Sequence, residues 1–419
     1  MTLSRRRFLQ AALAAAAAGT ASACGASGSG TATDLTLWYW GGGLSDNVVA
    51  DAGKQFAPDK LAASQIGGAF KQKLLVTMIS ERYVPDITGI KGEDMAAFLP
   101  DADHFIDLNT LGAKTLQSQY LSWKWDLGTT QDGRLIGFPI DIGPTATYYR
   151  ADLFDKAGLP TDPDAVGKAI AAWDDFFALG VELHRALPKT YLINNIGSVF
   201  TVATGQLQQG FVNEHNEFIG DQQHIRDAWN IAVKPYTLGI DANINDNSWN
   251  AAIGDGTLGT ETGAAWHALD IEQAAPDTKG HWRVAANPGE PTNNGGSFLA
   301  LPSSCRNPGL AYQMITWMLN PANQARGFTD AALFPSTPAS YTLPALTAAD
   351  PFFGGQRTID IFGPAAKKVP TQYTAPASSA VANPYYNELT NVETGKKPDD
   401  AWNDAVSQAK LIAEQQGVS

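Results

Sequence analysis

Apolar residues along the chain fall into short runs with two different periods. Leu35-Thr36-Leu37-Trp38-Tyr39-Trp40 reads as a β-type run and stops at Gly41-Gly42-Gly43. Ser45 and Asp46 then stand where a helix is capped, with Val48, Val49, Ala52 and Phe56 following at helical spacing. The stretch 70–79 repeats that spacing, 85–90 reads as a short buried strand, and another helix is predicted to begin at Asp94 and run to Leu99. Asp132-Gly133 turns the chain before 134–140, and 145–150 is a second β-rich run. Helices are predicted over 164–186, 222–235 and 308–319, and 191–193 reads as a strand ending on Asn194-Asn195. Short strands alternating with helices predict an α/β fold on a parallel sheet. No repeat of roughly 20–50 residues is visible, which sets aside solenoids and propellers.

The first residues follow a different logic. Ser4-Arg5-Arg6-Arg7-Phe8-Leu9-Gln10 is a twin-arginine pattern, followed by an Ala-rich run and by Ala21-Ser22-Ala23-Cys24. This reads as an export signal over 1–23 ending in a lipobox, with Cys24 as the lipidated residue and 24–33 as a flexible tether. The apolar run is about 11 residues long, short of the roughly 20 that cross a bilayer. The expected location is the outer face of the cytoplasmic membrane, held only by the lipid.

Charge and cysteine usage narrow the function. The 419 residues carry 42 Asp and Glu against 29 Lys and Arg; loss of Arg5, Arg6 and Arg7 with the signal leaves 26 against 42, a balance of −16. Nucleic acid and anionic lipid surfaces are bound through clustered cations, so neither is expected as a partner. Cys24 and Cys305 are the two cysteines, and Cys305 reads as a packed residue. Six scattered histidines show no metal-ligand spacing, and the triple glycine is not followed by Lys-Ser/Thr, so neither a metal nor a nucleotide cofactor is expected. His267, beside Trp266, could line a cleft, with a surface histidine the preferred reading.

Several segments together resemble the carbohydrate-binding solute-binding protein family 1 of ABC importers, the maltose-binder-like group. They are Phe70-Lys71-Gln72-Lys73-Leu74 with Val84-Pro85-Asp86-Ile87, Asp132-Gly133-Arg134-Leu135-Ile136-Gly137-Phe138-Pro139-Ile140-Asp141, and Tyr148-Tyr149-Arg150-Ala151-Asp152-Leu153-Phe154 continuing to Pro160. Gly295-Gly296-Ser297-Phe298-Leu299-Ala300-Leu301-Pro302 and Leu333-Phe334-Pro335 follow in the family's order. The resemblance implies a two-lobe, periplasmic-binding-protein-like α/β fold with a three-crossing hinge and a ligand cleft between the lobes. The crossings would fall near 141–143, 294–297 and 335–338. The N-terminal lobe would be 34–141 plus 297–336, and the C-terminal lobe 142–296 plus 337–419. It also implies a monomer without catalysis that binds an oligosaccharide and delivers it to ABC-importer permease subunits by lobe closure. A secreted glycoside hydrolase is the alternative, since it would share the tryptophans and acids but needs two carboxylates about 5–9.5 Å apart.

A pyranose offers an apolar face and a rim of hydroxyls, so its receptor needs flat aromatic surfaces and fixed polar groups. Of eleven tryptophans, Trp173, Trp229 and Trp317 have the helical spacing of packing residues, and Trp402, at the start of a C-terminal helix, is also read as packing. Trp40, at a strand's carboxyl end, Trp249, in a polar loop, and Trp266, where the family often places a stacking ring, are the aromatic candidates. Asp94, Asp141 and Asn195 are the polar ones, with helix capping the alternative for Asp94 and turn formation for Asn195, while Gly296 and Ser297 complete the set at the second crossing. Asp86 is read as structural. Ser297 stands where the family often has a Trp, and Gly143 where malto-oligosaccharide binders tend to have a carboxylate, so maltose specificity is not carried over.

Overall fold

The computed structural model describes residues 33–245 and 248–419; the export signal, Cys24 and the tether up to residue 32 lie outside the described residues. Its strands are β1 (Asp34–Tyr39), β2 (Lys60–Gln65), β3 (Ile87–Lys91), β4 (Phe138–Pro139), β5 (Asp141–Ile142), β6 (Thr145–Arg150), β7 (Thr260–Ala264), β8 (Trp282–Ala285), β9 (Ser297–Ala300) and β10 (Phe334–Pro335). No helix of the described residues is long and apolar enough to cross a membrane.

The side-chain alternation of β1 builds the first half. Leu35, Leu37 and Tyr39 point into one core layer, shared with Val48, Val49 and Ala52 of the helix Asp46–Gln55 and with Ala311, Met314 and Ile315 of the helix Pro308–Met318. Trp38 and Trp40 face the other way, against a layer containing Phe70, Leu74 and Phe298. The strands are ordered β2-β1-β3-β9-β4. Only β1 with β2 and β1 with β3 are parallel, whereas β9 runs antiparallel to both β3 and β4, so the expected parallel sheet is in fact mixed. A strand arriving late in the chain, after a long excursion, is free to insert in either direction.

Asp86 holds this sheet together. Its buried carboxylate accepts bonds from the Thr36 N–H and hydroxyl and from the Arg306 N–H and guanidinium. Burial pushes the carboxyl up, but these donors outweigh it and hold the group at about 2, in keeping with the structural role expected for it.

The second half is built on the antiparallel sheet β7-β6-β8. Tyr149 of β6 enters the core of Phe176, Phe177 and Trp229, and Tyr148 enters that of Trp282, Phe353 and Phe362 on the opposite face. Burying one such indole removes about 150–250 Å² from water, roughly 4–6 kcal/mol in transfer terms. Trp229 is fully buried, and Trp402 packs on it with ring centroids 5.7 Å apart, so both have the packing role expected of them. The expected helix over 164–186 is two helices, Pro163–Ala169 and Trp173–Ala186, because Ala172 is extended. The strand expected at 191–193 consists of bridges from Tyr191 to Leu258 and from Ile193 to Asp241.

Between the sheets, three segments run side by side. Asp141 and Ile142 of β5 pair with Pro335 and Phe334 of β10. Asn294 N–H donates to the Gly143 carbonyl at 2.8 Å, and Ser297 N–H donates to Asp141 Oδ1 at 2.8 Å. A Cβ on Gly143 would lie 1.8 Å from the Asn294 carbonyl oxygen, and one on Gly296, at φ +80°, would lie 2.7 Å from that of Asp141. Both positions therefore require glycine.

Candidate functional site

The polar site grows from the end of β7. Ala265 and Trp266 turn the chain into the helix His267–Ala274, which places Glu261 on the strand and His267 and Asp270 on the first helical turn beside one another. His267 Nδ1 lies 3.1 Å from Asp270 Oδ2, and Nε2 lies 3.4 Å from Glu261 Oε2. Burial disfavours the charged ring, but hydrogen bonds and charge from Asp270 and Glu261 prevail and raise its pKa to about 9, so it is an imidazolium at neutral pH. Tyr148 meets the ring edge-on at 5.8 Å, and a Cβ on Gly263 would lie only 2.8 Å from it. His267 is thus a packed, doubly paired residue rather than the surface histidine expected.

Trp249 is fixed by the same group. Its Nε1–H donates to Glu261 Oε1 at 3.1 Å, and its ring lies 5.4 Å from the imidazole at 41°. Trp249, His267 and Asp270 form one wall of a cavity of about 710 Å³. Its opposite side is formed by Asn194 and Asn195, at the start of the helix Ile196–Gly205, and by Ile244 and Asn245; Asn250, Gln273 and Ala274 complete it. Every lining residue comes from the chain between β6 and β8.

The polar groups of this wall divide into bonded and open ones. Asn195 caps its helix by accepting from Ser198 N–H at 3.0 Å and donates to the Ile244 carbonyl at 3.1 Å, so the turn role expected as its alternative is present while the residue also lines the cavity. Asn245 donates to Glu393 Oε2 at 2.9 Å. Among the described residues, Asn250, Gln273 and Asp270 Oδ1 have no hydrogen-bond partner within the protein, so they face the cavity with capacity to spare.

The other candidates lie elsewhere. Trp266 does not line the cavity; its Nε1–H donates to the Asn294 carbonyl at 3.1 Å, tying the helix start to the 294–297 segment, and its ring meets His267 edge-on at 6.0 Å. Trp40 lies where a Cβ on Gly43 would come within 2.7 Å of its ring, with Phe70 edge-on at 5.2 Å and Lys91 Nζ 5.5 Å from its centroid. Asp94 pairs with Lys71 at 3.0 Å and does not cap its helix, whose N-cap residue is Lys91.

Asp141 and Ser297 are buried where the segments at 141–143 and 294–297 run side by side, with Gly296 beside them. Lys124, fully buried, reaches the same place: its Nζ sits 3.6 Å from the Phe298 ring centroid without a hydrogen-bond partner among the described residues. Burial drives the Lys124 ammonium toward its neutral form and the Asp141 carboxyl upward, the two charges partly offsetting one another. Sequence reasoning missed Asn194, Asn245, Asn250, Asp270 and Gln273; the usable signal was the i, i+3 spacing of His267 and Asp270 just after a strand that carries Glu261.

Comparison with known proteins adds the lineage. The family model described as bacterial extracellular solute-binding protein matches residues 44–354. The arabinooligosaccharide-binding protein of Bacillus subtilis (strain 168) is 24% identical over 237 residues, 53% of this chain and 51% of that protein, so the match spans about half the length of that relative. A solved extracellular solute-binding protein of family 1 is 27% identical, covers 91% of this chain and 100% of its own, and superimposes with a TM-score of 0.86. The galacto-N-biose-/lacto-N-biose I-binding protein of an ABC transporter from Bifidobacterium longum, solved with lacto-N-biose, is 21% identical, covers 94% of this chain and 100% of its own, and gives a TM-score of 0.78, a likeness of fold.

Proposed function

The chain belongs to the bacterial extracellular solute-binding proteins, and on that premise we propose that it captures an oligosaccharide outside the membrane and passes it to an ABC importer. The observation that carries this reading is the 710 Å³ cavity, in which a fixed indole, Trp249, stands beside open amides and a carboxylate. An apolar ring surface flanked by hydrogen-bonding groups is what a pyranose needs, and the open groups, hydrated in the free protein, can exchange water for the hydroxyls of a polyol. Trp249, Asn194, Asn195 and Asp270 form the contact surface in this reading, with Trp266 at its border. Asp141, Gly296 and Ser297 belong to the crossing segments, and Trp40 and Asp94 to the packing of the first half.

The lobes in this reading are 34–141 plus 297–336 and 142–296 plus 337–419, and their closure over the sugar presents the complex to the permease. The side-by-side segments at 141–143, 294–297 and 334–335 support that division, since they connect the two sheets. Export through the twin-arginine signal and anchoring through Cys24 would hold the protein, as a monomer, at the membrane's outer face. No turnover is part of the proposal.

Calorimetric titration of the purified protein with arabino-oligosaccharides, galactobiose, lacto-N-biose and maltotriose tests it. A dissociation constant at or below about 1 μM for one of them, roughly −8 kcal/mol, is expected, with the sugar recovered intact. Absence of heat and of any melting shift across the panel would remove the reading, and appearance of cleaved product would favour the hydrolase alternative.

A further inference from the structure

The cavity wall is one-sided in charge. Asp270 lines it with Oδ2 held on His267 and Oδ1 open, and its side chain is 48% exposed. Among the described residues, no Lys or Arg lines the cavity. Its cationic group, the His267 ring, is committed to Glu261 on one side and Asp270 on the other, so it has no N–H left for a ligand. Behind the amide wall lie two further acids. Glu393 bonds Asn245, and the buried Asp241, whose Oδ2 has no hydrogen-bond partner among the described residues, is bridged to Ile193 at the start of the Asn194-Asn195 turn. A ligand entering therefore meets a charged acceptor, neutral amides and acids behind them, with nothing to neutralise an anion.

We propose that Asp270, positioned by His267, is the specificity-determining group of this cavity, and that it restricts the ligand to sugars without a carboxylate, excluding uronates. This rests on the oligosaccharide reading above and names the ligand class within it. A hydroxyl or an ammonium can donate to Asp270 Oδ1, whereas a uronate carboxylate placed there opposes a like charge and offers Oδ1 no donor. Discrimination then comes from a repulsive element, and it should weaken when the charge is removed or screened.

The test uses matched pairs titrated into the full chain: galactobiose against digalacturonate, xylotriose against its glucuronic-acid-substituted form, and cellobiose against cellobiouronic acid. In a pair that binds, the neutral member should bind at least tenfold more tightly. Asp270→Asn, an exposed and near-isosteric change checked for folding by its melting curve, should narrow that gap several-fold, chiefly by tightening the acidic member. Raising the salt concentration should narrow it in the wild type and not in the variant. Equal affinity within pairs, binding of acidic members alone, or a gap that neither Asp270→Asn nor salt changes would each overturn the proposal while leaving oligosaccharide binding in place. Failure of both members of every pair, and of the broader neutral panel, would instead overturn the oligosaccharide reading and this proposal with it.

Discussion

Trp40 and Trp249 both stand beside loops rich in small or polar residues, one in each half of the molecule, yet their surroundings differ. Trp40, partly buried, lies against Gly43 and Phe70 with Lys91 nearby and is not among the residues lining the Trp249 cavity. Trp249 donates its N–H to Glu261, leans on the His267 ring and borders a cavity, so its orientation is fixed before any ligand arrives. The polar groups follow suit: every donor around Asp86 is engaged, while Asp270 keeps one oxygen open. In the proposed reading, binding capacity lies in unspent polar atoms next to a void rather than in nearness to a strand end.

The contrast can be broken most strongly at Trp40. Trp40→Ala should lower unfolding stability by roughly 2–3 kcal/mol, below the range for a fully buried indole because Trp40 is only partly buried, while leaving sugar affinity within about twofold. A large affinity loss with unchanged stability would reverse the assignment of the two halves. Next comes Asp86, whose depressed pKa contributes stability that is present above pH ~4 and lost as pH falls toward about 2. Asp86→Asn should cost roughly 2–3 kcal/mol at neutral pH, and urea midpoints of the two proteins should converge as pH falls through that window. Trp249→Ala should weaken sugar binding by about 1–3 kcal/mol, by analogy with bases stacked on aromatic rings, with a smaller effect on stability. The smallest effect is at Asn195, where Ala substitution removes a helix cap worth about 1 kcal/mol of stability, seen in the melting temperature, along with one wall contact.

Much of this architecture could be read along the chain. β1, the helix capped by Ser45 and the strand β6 follow from periodicity and capping residues, and the order of short motifs pointed to the two-lobe fold. The edge strand β2 was not legible, because Lys60-Leu61-Ala62-Ala63-Ser64-Gln65 is largely exposed and carries no apolar alternation. The direction of β9 was hidden as well, since side-chain periodicity is the same for parallel and antiparallel neighbours. Of the site, Trp249 and Asn195 could be picked out one by one, but their shared wall depends on Asn195 reaching the Ile244 carbonyl across 49 residues of sequence. The pairing of His267 was not legible because the charge that defines it comes from Glu261 on a strand and Asp270 on a helix, which only the turn at 265–266 brings together.

The claim that the cavity beside Trp249 receives the sugar is tested most directly by a structure of the protein with a bound neutral oligosaccharide. The account predicts a sugar ring against the Trp249 indole with a hydroxyl donating to Asp270. A sugar seated on Trp40 with the Trp249 cavity holding only water would contradict it.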